Sequence, residues 1–201
     1  MKIGIFGHSK AVYKKRSYVH YTERINNYFP QYQINWYGTQ CTSVERLAYN
    51  ISKNHCDLYI ILHTALDYVY CPGWSRDFPA DVLFKAMRTE KGWERFLLNC
   101  ERYSISYNNN LFENLDFFKN IFYDKNRHLN FIANLFLIKS FLVGKKAIHV
   151  RHNGEEVKVF RNDYFSKSIE QTLNSIDPDG DWDHDLISNV FIQEIELALT
   201  K

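Results

Sequence analysis

The chain has 201 residues, of which 45% are hydrophobic and 24% are charged. This length and composition are typical of one folded domain with a full hydrophobic core, and they argue against a mainly disordered chain. The 25 basic and 23 acidic residues leave a formal net charge of +2. Charge therefore gives no reason to expect a nucleic acid or an anionic membrane as a partner.

The cysteines and the N-terminal residues indicate a protein that does not use Sec export. The 4 cysteines are scattered, with no pair at the two-residue spacing of zinc or redox motifs, so we expect free thiols in a reducing compartment. The apolar run at 3–6 is too short for a secretory signal, and polar residues interrupt the longest apolar stretch, 131–143. We therefore expect a soluble protein that is cytoplasmic or otherwise not exported by the Sec route.

The first third of the chain alternates between strand and helix patterns. The predicted elements are a strand at 2–6, a helix to about residue 29, a strand at 32–37, a helix capped by residue 42 or 43 that runs to about 53, and a buried strand at 58–62. This order predicts an α/β fold, a three-layer α/β/α sandwich with a mainly parallel sheet, in a single domain over 1–201. Sites in such sheets form at the carboxyl ends of strands, where Ser9, Gly38 and the segment after His63 are expected.

The middle of the chain is less regular, and we predict a loop or helical insertion around 67–145. Residues from Asp67 to about Gly92 predict a loop or lid near the same sheet edge, with Tyr68, Tyr70 and Trp74 either contacting substrate or packing inside the loop. Later predicted elements are two helical segments within 110–143, a strand at 146–150, a short strand at 157–160 paired to it through the turn at 153–154, and an amphipathic helix at 186–199.

Two short motifs near the two ends of the chain could supply an activated nucleophile. Gly7-His8-Ser9 follows the first predicted strand, and Asp181-Trp182-Asp183-His184 precedes the last predicted helix. A serine hydroxyl attacks well only when an imidazole takes its proton and a carboxylate fixes the tautomer of that imidazole. Ser9, His184 and Asp181 have the chemistry for these three roles. Helix capping is the alternative role for Ser9 and for His184.

These residues resemble the motifs of the SGNH, or GDSL-type, hydrolases. That family has Gly-Asp-Ser after the first strand, a glycine after the second, Gly-x-Asn after the third and Asp-x-x-His before the last helix. The chain matches this pattern at Gly7, Ser9, Gly38, Asp181 and His184. The resemblance implies an SGNH-hydrolase, flavodoxin-like architecture. It also implies a Ser-His-Asp triad, with the backbone of Ser9 and Gly38 binding the oxyanion.

The function implied by the resemblance is that of a serine esterase or deacylase. Its substrates would be short acyl esters, such as those of acetylated carbohydrate, and its chemistry needs no metal or organic cofactor. The chain departs from the family at His8, where aspartate is usual, and at Ala65, where the oxyanion asparagine is expected. His63 and Thr64 are candidates for a further oxyanion donor. The departures motivate a second hypothesis, a binding or structural module with the same fold and weakened catalysis.

The acidic run before the last helix allows a third hypothesis. Aspartates alternate with other residues at 177, 179, 181, 183 and 185, and carboxylate oxygens are suitable ligands for calcium. Gly180 and Ser188 do not fit the helix-loop-helix calcium pattern, however. The run fits equally well a polar loop that positions His184, which is the interpretation we adopt, with no metal site.

Overall fold

The computed structural model describes residues 1–7, 20–39, 42–64, 68–69, 71, 74–75, 77–107, 124–152, 154–175 and 183–200. Strands β1 to β6 are Lys2–Gly7, Gln33–Gly38, Leu58–Leu62, Tyr68–Val69, Phe78–Pro79 and Lys146–Val150. Helices α1 to α8 are Tyr21–Tyr28, Val44–Lys53, Ala80–Met87, Glu90–Arg102, Asp124–Phe141, Glu155–Val159, Lys167–Asn174 and His184–Thr200.

Four parallel strands form the central sheet in the order β2-β1-β3-β6. This arrangement confirms the predicted α/β class and parallel sheet. The order of the first three strands is that of flavodoxin-like, doubly wound sheets, which bind ligands at the carboxyl edge between β1 and β3. All five residues of β3 are buried, as expected for an inner strand that is covered on both faces.

Helices cover both faces of this sheet. On the first face, Ile5 and Ile60 pack with residues of α1, α7 and α8, among them Ile25 and Phe191. On the second face, the strands pack against α2, α5 and α6 around a core that includes Phe6, Tyr59, Ile61, Leu47 and Leu135. The side chains of β1 and β3 thus alternate between two apolar layers, which accounts for their nearly continuous apolar sequences.

The predicted strand at 157–160 is wrong, because this stretch belongs largely to helix α6. Gly154, at the start of that helix, has a left-handed φ of 91°, and Glu156, Val159 and Phe160 are buried. That spacing of i, i+3 and i+4 is the period of a helix rather than of a strand. Helix α7 was not predicted, although Ile169 and Leu173 carry the same spacing after the capping residue Ser166.

The stretch predicted as a loop, 67–92, contains regular structure. Strands β4 and β5 pair antiparallel, and α3 and the start of α4 follow them. These elements have a small core of their own, formed by Val69, Cys71, Trp74, Phe78, Leu83, Ala86, Trp93 and Cys100. Of the helical segments predicted within 110–143, α5 covers the second, and residues 110–123 lie outside the described residues.

Candidate functional site

Gly7 is the last residue of β1 and lies against β3 at the carboxyl edge of the sheet. Its φ is 140°, which residues with a Cβ rarely adopt. A Cβ added to Gly7 would lie 2.3 Å from the carbonyl oxygen of Leu62, its partner residue on β3. Glycine is therefore required where β1 ends so close to β3. The fold alone explains the first residue of the Gly7-His8-Ser9 motif.

Gly38 ends β2 beside Gly7, and residues after Gly38 donate hydrogen bonds to the Gly7 carbonyl. Gly7 and Gly38 are partners in the parallel ladder. The Gly7 carbonyl oxygen accepts from the N–H of Thr39 at 3.3 Å and from the hydroxyl of Thr42 at 2.7 Å. The predicted oxyanion donor Gly38 is thus held next to the end of β1. This role of Thr42 was not predicted, and no sequence motif marks it.

His184 is the first residue of α8 and lies beside the start of α1. Its ring is stacked on that of Tyr21, with the centroids 5.9 Å apart, and is 4.6 Å from the ring of His20. His20 and Tyr21 are the N-cap and first residue of α1. Helices that connect parallel strands run antiparallel to those strands, so the start of α1 lies at the carboxyl edge. His184 therefore lies at the same edge as Gly7 and Gly38.

The Nδ1 atom of His184 accepts a hydrogen bond from the backbone N–H of Tyr21 at 3.5 Å. This contact favours the neutral tautomer with its proton on Nε2. A base that takes a serine proton at Nε2 needs the opposite tautomer, in which Nδ1–H donates to a carboxylate. Catalysis by His184 therefore requires its ring to exchange the Tyr21 N–H for a carboxylate.

His63 lies one residue beyond β3, but its side chain is on the second face of the sheet. Its Nε2 atom is 2.9 Å from Nδ1 of His149, and both rings pack against Phe160. Burial, with a smaller effect from the charge of His152, lowers the pKa of His63 to about 3. Burial and nearby charges also hold the pKa of His149 well below its ordinary value. Near neutral pH the two histidines are an uncharged, internal pair.

Trp74 lies in the core of the small unit formed by β4, β5, α3 and α4. Only 2% of its surface is exposed, and its ring packs against Phe78, Trp93 and Phe96. Tyr68 is half-buried in β4. The placement of Trp74 agrees with the alternative in which the aromatic residues of this segment pack internally.

Arg46 and Asp77 fasten this small unit to the start of α2. The fully buried carboxylate of Asp77 accepts from the guanidinium of Arg46 and from the backbone N–H of Ser43, each at 2.7 Å. Arg46 also donates to the carbonyl oxygens of Cys71 and Trp74, each at 3.1 Å. This pair was not predicted, because residues 31 positions apart form no local sequence pattern.

Some of the predicted site residues lie within the described ranges, and others lie outside them. His184 and Gly38 lie at the carboxyl edge, whereas His63 faces the opposite side of the sheet and Trp74 lies within the small unit. Thr64 is buried just after β3. The predicted residues outside the described ranges are His8, Ser9, Tyr70 and Asp181.

Two members of the acidic run have structural partners. The carboxylate of Asp183 caps α8 by accepting from the N–H of Leu186 at 2.9 Å, and Asp185 forms an ion pair with Arg24. The aspartates at 177, 179 and 181 are outside the described residues. Within the described ranges, no group of three or more His, Cys, Asp or Glu side chains is arranged to hold a metal ion.

Comparisons with known proteins gave one similar structure. Neither a protein family model nor a curated protein matches the sequence. The chain is similar to the crystal structure of a member of the lipolytic G-D-S-L family from Veillonella parvula, with a TM-score of 0.48 and 11% identity over 100% of this chain and 98% of that chain. At that identity and TM-score, the likeness assigns no substrate or reaction. Among the described helices, none has the length and apolar character needed to cross a bilayer.

Proposed function

We propose that the protein is a serine ester hydrolase for short acyl esters, such as those of acetylated carbohydrates. Ser9 is the nucleophile, His184 the general base and acid, and Asp181 the carboxylate that orients the imidazole. The observation that carries the proposal is the position of His184 at the carboxyl edge, beside the start of α1. In the sequence, Ser9 follows Gly7 by two residues and Asp181 precedes His184 by three. Short chain segments therefore connect all three proposed groups to this edge.

The proposed reaction has two halves. The Ser9 Oγ atom attacks the ester carbonyl carbon while Nε2 of His184 takes the hydroxyl proton, and that proton then passes to the leaving alcohol as the C–O bond breaks. Water, activated by the same imidazole, then releases the acid from Ser9. The backbone N–H groups of Ser9 and Gly38 stabilise the oxyanion in each half. This role requires Nδ1 of His184 to turn from Tyr21 towards Asp181.

One observation favours a second candidate function, a binding or structural module without turnover. The N–H of Tyr21 occupies Nδ1 of His184, and this contact favours the tautomer that cannot accept a proton at Nε2. For such a module, Ser9→Ala and His184→Ala would leave function almost unchanged. Trp74 is a poor probe of partner binding, because its burial makes any substitution a test of folding as well.

The proposal is tested by hydrolysis of p-nitrophenyl acetate and by labelling with a fluorophosphonate, which reacts covalently with activated serines. We expect Ser9→Ala to abolish labelling, and we expect Ser9→Ala and His184→Ala each to lower kcat by about a thousandfold or more. Ser52→Ala is the matched control, because Ser52 is half-buried within α2 and, in the described part of the chain, its hydroxyl donates to the Tyr49 carbonyl of its own helix. Folded wild-type protein that neither hydrolyses the ester nor takes up the label would overturn the proposal.

A further inference from the structure

Helix α5 has an exposed face that is mostly apolar and carries no charge. Its opposite face packs into the second layer of the core through residues such as Phe131 and Leu135. Between 129 and 144 the sequence has one charged residue, Lys139, which is half-buried and donates to the Val159 carbonyl at 2.6 Å. The exposed apolar residues of α5 and the turn after it are Leu129, Ala133, Phe136, Leu137, Phe141 and Val143.

Helix α4 shows the usual character of a solvent-facing helix in the same protein. Its exposed residues include Glu94, Arg95, Glu101 and Arg102, and Leu98 is isolated among them. A single exposed leucine is ordinary, whereas a contiguous apolar face marks a surface that another molecule covers. The exposed face of α5 is of the second kind.

Four exposed residues of α5 have the spacing of a helix-helix interface. They are separated by four, three and four residues, which places them in one line along the helix. Large and small side chains alternate along this line, which we call the α5 seam. The α5 seam consists of Leu129, Ala133, Phe136 and Ser140.

The α5 seam is complementary to a second copy of itself. When two seams run antiparallel, Leu129 of one copy can face Ser140 of the other. In the same register, Phe136 faces Ala133. Each large side chain therefore meets a small one, as close packing of two helices requires. Every contact occurs twice, which is the condition for a twofold-symmetric interface.

Polar residues on or beside the α5 seam have hydrogen bonds within their own helix. The hydroxyl of Ser140 donates to the Leu137 carbonyl at 2.7 Å. The side-chain amide of Asn134 donates to the Asn130 carbonyl at 2.8 Å. Burial of these two donors would therefore not leave them without a partner. A lipid surface fits less well than a second copy, because this face has no lysine or arginine to attract anionic headgroups.

The exposed apolar area is large enough for a dimer of moderate affinity. The five large apolar residues of this face are between 38% and 76% exposed, which for side chains of their size amounts to roughly 600 Å² per copy. Two copies could thus bury roughly 1,200 Å², the lower end of the range for specific interfaces. The five residues are Leu129, Phe136, Leu137, Phe141 and Val143.

We propose that the α5 seam is the interface of a homodimer in which the two α5 helices pack antiparallel about a twofold axis. The dimer joins the second layers of the two cores across this axis. Helix α5 covers the second face of the sheet, and His184 lies on the first face. Dimerisation and the proposed hydrolysis can therefore be tested separately.

The first test measures the molar mass of the full chain by sedimentation equilibrium from about 1 µM to about 100 µM, with a reductant present to prevent disulfides between copies. We expect wild type to approach twice the chain mass of 24.0 kDa. Phe136→Glu places a carboxylate in the interface and should raise the dissociation constant at least about a hundredfold. Leu98→Glu is the matched control, because Leu98 and Leu129 are 64% and 65% exposed, and it should leave the dissociation constant unchanged.

The second test examines the register by mixing two variants. Phe136→Glu and Ala133→Lys should each be monomeric alone, because each places like charges or a buried charge in the interface. An equimolar mixture should form a heterodimer, since the introduced carboxylate then faces the introduced ammonium. The second pairing keeps Phe136 of one chain against Ala133 of the other. Circular dichroism of each variant checks that the monomer is folded.

Three results would overturn the proposal. One is a wild-type chain that stays monomeric at about 100 µM. Another is a dimer that Phe136→Glu does not weaken, since its interface would lie elsewhere. The third is a monomeric wild type that binds vesicles of phosphatidylcholine and phosphatidylserine through Phe136, which would assign the face to a lipid surface. If both variants are folded monomers whose mixture forms no heterodimer, the antiparallel register is refuted.

Discussion

His184 and His63 lie at the same edge of the sheet, but on opposite faces and in different surroundings. His184 is half-buried at a helix start, where Nδ1 accepts one long hydrogen bond of 3.5 Å from a backbone N–H. His63 is 1% exposed, bonds His149 at 2.9 Å and packs against aromatic rings. Position after a strand therefore does not determine whether an imidazole can act as a base. Solvent exposure and hydrogen-bond partners determine it.

This difference supports placing the proposed proton transfer on the first face of the sheet. Burial lowers the pKa of His63 to about 3, so the ring stays neutral through the range in which general bases work. Protonating His63 would also place a positive charge among the rings of His149 and Phe160, with no carboxylate contact described for it. We therefore interpret the second-face pair as a structural element and keep His184 as the proposed base.

The largest expected effect is on stability, and it should differ between the two faces. His63→Ala removes a fully buried ring and leaves Nδ1 of His149 without its partner, so we expect a loss of about 3 kcal/mol in the free energy of unfolding. His184→Ala removes a half-buried ring whose hydrogen bond with the Tyr21 N–H is long, and we expect a loss of about 1 kcal/mol. Urea unfolding of both variants measures the difference. Equal losses would contradict the contrast between the two sites.

The next effect concerns the pH dependence of stability. Burial lowers the pKa of His63 to about 3 in the folded protein, whereas in the unfolded chain the pKa is near the ordinary histidine value of 6.5. Between pH 6.5 and pH 3, His63 is protonated in the unfolded chain but not in the folded protein. The free energy of unfolding therefore falls as the pH drops through this range. At pH 5.5 this single group should already lower the free energy of unfolding by about 1 kcal/mol relative to pH 8.

His63→Gln separates this contribution from those of other titrating groups. Glutamine cannot take up a proton in this range, so the variant should lose about 1 kcal/mol less stability than wild type between pH 8 and pH 5.5. His149 remains in the variant, and its pKa is also held low by burial, so part of the acid sensitivity should persist. If the free energy of unfolding depends on pH in the same way in wild type and His63→Gln, then His63 does not remain neutral in the folded protein.

The sequence predicted much of the sheet that creates this contrast. The apolar run at 58–62 and the β-rich run before Gly7 became β3 and β1, because strands buried on both faces carry their pattern locally. The helix at 155–159 was missed because five residues span little more than one turn, and their helical spacing is easily taken for a short strand.

The candidate site was less predictable than the fold. Gly38 and His184 lie at the predicted edge, since the ends of strands and helices follow from the order of elements. The orientation of His63 was not predictable, because one residue of register decides which face a side chain takes. The contacts of Asp77 with Ser43 and Arg46 depend on how distant segments pack, so no local pattern could reveal them.

The smallest effect tests how His184 is held on the first face. Its position depends on the first turn of α8, which Asp183 caps by accepting from the N–H of Leu186. We expect Asp183→Ala to cost about 1 kcal/mol in the free energy of unfolding, with faster hydrogen exchange at the Leu186 amide. Asp183→Asn keeps a capping oxygen and should retain most of the stability. The amide of His63 is held by the sheet and not by the cap of α8. The Asp183 variants should therefore change hydrogen exchange at this amide only through the global loss of stability. A local increase in exchange at the His63 amide would contradict the independence of the two faces.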